Sequence, residues 1–200
     1  MFGIFKRKQD SIHEPLSKQR EDAINSVAEM FRNDLVPQIL NGLDCDQNPN
    51  GVGEFGSLDN PIPVNGSIGE IKYLVKLRGK TAQAIMFHRL ASKTSKVIGR
   101  SVDCYEVVCL DGTQWGYLHF DFYHPRRSNL APSGYILMPY IQKLGSDIPF
   151  GFGCNGVVDN FPYGLPLVLR KLYKGEVGES LAAALEDRLN KYNFQRHSAS

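Results

Sequence analysis

Between Ser101 and His124 apolar and polar side chains alternate through two runs, SVDCYEVVCL and TQWGYLHFDFYH, on either side of an Asp-Gly pair. β-Branched and aromatic residues flanking Asp-Gly predict a β-hairpin with a tight type I′ turn at Asp111 and Gly112. A two-residue loop sets the register. Leu110 faces Thr113, Val108 meets Trp115, Glu106 meets Tyr117, Cys104 meets His119 and Val102 meets Asp121, all on one face of the sheet.

Elsewhere the period is helical. Ile24, Val27, Ala28, Phe31 and Leu35 recur at helical spacing. They predict a long amphipathic helix over Leu16–Leu43, kinked or interrupted at Pro37. Ser67 and Glu70 form a capping-box pattern ahead of Gly79, which favours a short helix over Ile68–Arg78, although Ile71, Tyr73, Val75 and Leu77 alternate as in a strand. Strands are predicted within Thr81–Ser92 and at YILM in Tyr135–Leu144. Two helices close the chain. Pro166 opens the first and Gly175 ends it; Leu181, Leu185, Leu189 and Tyr192 stripe the second. Asp44–Gly66 and Gly151–Gly164 are rich in turn residues and read as loops.

This order predicts an α+β fold, with a single domain over residues 16–194. A mostly antiparallel sheet centred on the 101–124 hairpin packs against the long N-terminal helix and the two C-terminal helices. Residues 1–15 form a flexible N-terminus and 195–200 a frayed end.

Composition narrows the function classes. The chain has 200 residues, 42% hydrophobic and 22% charged, enough to bury a sizeable core. A formal net charge of +2, with acids interleaved among the bases, gives no strong nucleic-acid signal. Cys45, Cys104, Cys109 and Cys154 contain no CxxC pair and no zinc-module spacing, so they read as reduced thiols in a cytoplasmic protein. The start lacks the order of a signal peptide. Phe2, Ile4 and Phe5 beside Lys6, Arg7 and Lys8 offer at most peripheral membrane contact by residues 1–8, against the simpler reading of a frayed terminus.

On the hairpin face, Cys104 opposite His119 places a candidate nucleophile beside a candidate base, with Asp121 or Glu106 to orient the imidazole. Asp121 is two residues beyond His119, about 6–7 Å along a strand, which is long for a direct hydrogen bond. The competing reading is a buried thiol and a structural histidine. Divalent-metal chemistry would draw on His119, Asp121 and Glu106 with His88 or His124, but His124 has the wrong strand parity. No metal site or cofactor is assigned. GVGEFG and GFGCNG both match G-x-G-x-x-G, and both continue to Asp-Asn, at Asp59-Asn60 and Asp159-Asn160. Neither follows a strand and opens a helix, so the dinucleotide fingerprint fails.

After the hairpin, FYHPRRSN presents His124, Arg126 and Arg127 on a loop positioned by the sheet, with Tyr117, Tyr123 and Trp115 nearby. Paired arginines suit a carboxylate or phosphate. The leading expectation is therefore a non-enzymatic binding module that uses Tyr117, His124, Arg126 and Arg127 to recognise a protein or small anionic ligand. Its alternatives are a thiol-dependent hydrolase or transferase at Cys104 and His119, and a divalent-metal-dependent enzyme.

Overall fold

The predicted hairpin forms the centre of the sheet. β4 (Arg100–Cys109) and β5 (Trp115–Asp121) pair antiparallel, with Cys104 opposite His119, Glu106 opposite Tyr117 and Val108 opposite Trp115. The turn differs from type I′, which needs positive φ at both central residues. Gly112 has φ 73°, but Asp111 is not among the residues with positive φ. The connection instead spans residues 110–113. Cys109 N–H donates to Gln114 O (2.8 Å), Gly112 N–H donates to Cys109 O (2.8 Å), and the Asp111 carboxylate accepts from Thr113 N–H and its hydroxyl. A loop longer by two residues keeps the parity, so the same side chains still face each other.

In this computed structural model, residues 36–138, 151–192 and 194 are described. α1 (Val36–Leu40) starts around Pro37, and β1 (Ile62–Pro63), α2 (Gly66–Leu74) and β2 (Leu77–Gly79) follow. After β3 (Ile85–Ser95) and the hairpin come β6 (Tyr135–Leu137), β7 (Phe152–Cys154), α3 (Leu165–Leu172) and α4 (Glu176–Lys191). The five-stranded sheet has the order β1-β5-β4-β3-β7, and β2 pairs with β6 separately.

Two expectations of the fold are corrected. The sheet is mixed, not mostly antiparallel: β1 runs parallel to β5, and β7 parallel to β3. These edges come from stretches whose glycines and prolines read as loop. Gly153 shows why glycine belongs in a strand there, since a Cβ would lie 2.3 Å from the Phe87 ring. The second correction concerns the N-terminal helix. Only α1 of Leu16–Leu43 is helical among the described residues, and residues 16–35 lie outside them. The capping box at Ser67 also fails. Asn65 occupies the N-cap without a side-chain capping hydrogen bond, and the carboxylate of Glu70 instead accepts from the Tyr105 hydroxyl (2.9 Å).

Both faces of the sheet are covered, which explains why β4 is buried from Val102 to Cys109. On one face Tyr73 and Leu74 of α2 pack with Phe87, Tyr105, Val107 and Phe120. On the other, Met86, Val108 and Phe152 meet Leu165, Leu169, Leu185 and Leu189 of the two C-terminal helices. The predicted stripe on α4 is thus its packing face, with Ala182 added. Among the described residues no helix is long and apolar enough to cross a membrane.

Candidate functional site

The four residues expected to work together on the hairpin face are divided among separate environments. Cys104 and His119 are opposite in register, and both are buried. Burial pushes the Cys104 thiol up, with Lys93 opposing. It pushes the His119 imidazole down. His119 Nδ1 lies 3.3 Å from Gly56 O, while its Nε2 has no hydrogen-bond partner among the described residues. Among the described residues no hydrogen bond links the Cys104 thiol to His119. Glu106 faces β3, and Asp121 faces the loop that follows β5. Tyr117 is half exposed, with Lys93 Nζ 5.9 Å from its ring centre.

Asp121 belongs to a buried charge cluster at the end of the hairpin. Its Oδ2 accepts from Arg100 Nε (3.0 Å), from the Arg100 terminal nitrogen and from His124 Nε2 (3.0 Å). Burial alone would raise its pKa, but the hydrogen bond and charge of His124, and then Arg100, hold it below the ordinary carboxylate value. His124 Nδ1 lies 2.7 Å from Leu43 O and 3.7 Å from Cys45 Sγ. Cys45, His124 and Asp121 therefore follow one another in the order thiol, imidazole, carboxylate. Yet Leu43 O can only accept, so Nδ1 must carry a proton that it donates there. Nε2 contacts Asp121 and an Arg100 terminal nitrogen (3.3 Å), so both nitrogens are engaged, and Nδ1, the nitrogen nearest Cys45, has no lone pair for the thiol proton. Burial also raises the Cys45 pKa, with Arg126 opposing. The arrangement clamps the 43–46 segment to the sheet.

Arg126 completes that clamp. Its Nε donates to Asp44 (2.6 Å) and its terminal nitrogen to Asp46 (2.5 Å). Asp46 also accepts from Asn129 N–H, and Ser128 Oγ donates to Asp46 O. The arginine expected to meet an anionic ligand is thus paired within the chain. Arg127 borders a crevice of about 60 Å³ with Tyr73, Lys76, Ser128 and Asn129.

A larger concavity, of about 530 Å³, opens where the sheet meets the 157–163 segment. Its floor is the buried pair His88 and Glu106, on adjacent positions of β3 and β4. Val158 N–H donates to His88 Nδ1 (2.9 Å), so the imidazole carries its proton on Nε2 and donates it to Glu106 Oε2 (2.8 Å). Trp115 Nε1 donates to Glu106 Oε1 (2.7 Å). His88 therefore contributes a hydrogen bond without a charge. Phe161 stacks on the His88 ring at 4.1 Å and meets Trp115 edge-on at 6.4 Å. Tyr163 and Phe194 meet edge-on at 6.2 Å. Asp159 and Asn160 form the exposed rim, where Asn160 adopts φ 51°.

The two Gly-rich Asp-Asn motifs thus diverge. The first closes on itself: Asn60 is buried, its amide donates to Gly53 O (3.0 Å), and Asp59 accepts from Ser95. The second supplies β7 and the groove rim. Neither forms a phosphate cradle at a helix start.

In the sequence Trp115 and Glu106 stood near a site and His88 entered only as a possible metal ligand; Phe161 was not singled out and Asp159 only as part of a repeated motif, because the groove depends on the parallel edge strand β7. The acids at Asp44 and Asp46 facing two arginines were the available signal for the Cys45 clamp. Among the described residues no group of three or more His, Cys, Asp and Glu side chains is arranged to hold a metal ion. The chain matches no family model, and no curated protein or solved structure is significantly similar to it.

Proposed function

We propose that this chain is a non-enzymatic binding module whose ligand site is the groove above His88 and Glu106. The observation that carries this reading is the groove's construction: aromatic walls, an open side, and a polar floor whose hydrogen bonds are already made. A site of this kind gains affinity from apolar and aromatic contact, with few polar groups to fix orientation. The reading keeps the binding function expected from sequence but moves it from the Arg126 loop. Four unpaired cysteines support a reducing compartment, consistent with a cytoplasmic protein.

Trp115 is the chain's single tryptophan and lines the groove, so its fluorescence reads occupancy directly. A panel of small aromatic and alkyl compounds is expected to include some that shift Trp115 emission saturably in the wild type. Tyr163→Ala should weaken these at least fivefold at unchanged Tm. Emission changes that survive Tyr163→Ala unaltered, or the lack of any saturable change, would remove the groove as the site.

A further inference from the structure

The charges around the groove narrow its ligand, granted the binding reading above. Among the described residues no lysine or arginine lines it, whereas two carboxylates, Glu106 and Asp159, do. Glu106 lies in the floor, where His88 and Trp115 donate hydrogen bonds to it. Asp159 stands exposed at the rim, where its carboxylate makes no hydrogen bond or ion pair among the described residues. The rings of Trp115, Phe161, Tyr163 and Phe194 line the same groove. Aromatic rings present a negative face, and a cation within about 6 Å of a ring centre is attracted to it. An anion would face both the rings and the carboxylates, and a neutral apolar group would leave Asp159 unanswered.

We propose that the groove receives the ammonium end of a lysine side chain carried by a polypeptide partner, its methylene stem against the aromatic walls and its charge toward Asp159. A polypeptide fits better than a free amine because Val157, 64% exposed, and Tyr163, 45% exposed, flank the opening. A small amine would leave these two apolar surfaces in water, and a chain running past the groove would cover them. Long lysine stems cover apolar surface in this way while the head group keeps its charge contacts.

The test uses the full chain and Trp115 emission with four capped tripeptides that differ only in the central residue: lysine, trimethyllysine, norleucine or glutamate. Lysine and trimethyllysine peptides are expected to bind saturably, at least tenfold tighter than norleucine. Asp159→Asn should reduce that advantage to threefold or less at unchanged Tm, since the residue is exposed. Equal binding of norleucine and lysine would overturn the cation assignment while leaving the apolar groove in place. Preference for glutamate would overturn the assignment outright. Binding of butyltrimethylammonium with no response to any peptide would overturn the polypeptide occupant. If aromatic and alkyl compounds also fail to bind, the binding reading itself falls with it.

Discussion

Glu70 and Asp121 are both buried carboxyls, and their surroundings drive them in opposite directions. Glu70 is pushed well above the ordinary value, first by burial and then by Asp103, although the Tyr105 hydroxyl donates to it. A raised folded-state pKa means that the native chain holds this proton more tightly than the unfolded chain. The stability from Glu70 is complete below the unfolded value near 4.5 and declines as pH rises toward the folded value. Glu70→Gln keeps the shape without the titration. Its urea midpoint should therefore exceed that of the wild type by a margin that widens from pH 5 to pH 8; parallel pH profiles would contradict this. Asp121 has the opposite sign. Its folded-state pKa is lowered, so its contribution is present above the unfolded value of 3.8 and lost as pH falls through the folded one. Asp121→Asn leaves His124 and Arg100 without their shared anion, and a loss of about 3 kcal/mol in urea denaturation at pH 7 is expected.

At the scale of elements, the clamp joining the 43–46 segment to the end of β5 determines which thiol is accessible. Cys104, Cys109 and Cys154 are buried in the sheet, and Cys45 is only partly covered. Under native conditions iodoacetamide should modify Cys45 first, and mass mapping should find the other three protected until urea is added. Arg126→Ala removes both contacts to Asp44 and Asp46 and should raise the Cys45 rate several-fold with little change in Tm, because these pairs sit near the surface; the rates are compared at equal thiolate fraction, since the lost charge also raises the thiol pKa. An unchanged rate would mean that His124, Ser128 and Asn129 hold the segment without Arg126. The β4–β5 pairing was legible in sequence because its signals are local: alternation, β-branched residues and a turn pair within two dozen positions. The two C-terminal helices were legible for the same reason, from Pro166 and the leucine stripe. β1 and β7 were not, since Ile62–Pro63 and Phe152–Cys154 are short strands whose partners lie far along the chain. The candidate site follows the same division. Trp115 and Glu106 sit on the legible hairpin, whereas His88 joins them through β3 and Phe161 arrives on a segment positioned by β7.

For the whole molecule, a continuous meander of β3, β4 and β5 is bordered by one short parallel strand on each side. The cores on its two faces share β4, with Val107 in one and Val108 in the other. Val107→Ala, at a site with no exposure, should cost about 2 kcal/mol. Gly153→Ala brings a methyl group against Phe87 and should cost about 1–3 kcal/mol, at the edge alone. The two substitutions differ further in time. Meander contacts close short loops and form early, whereas the borders close long ones and await the rest of the sheet. Val107→Ala should therefore slow refolding, and Gly153→Ala should leave the refolding rate nearly unchanged while accelerating unfolding. Stopped-flow chevrons of the two variants would show the difference as a shift in opposite arms. The groove rim, which enters the fold through β7, is then the part of the binding surface assembled last and released first.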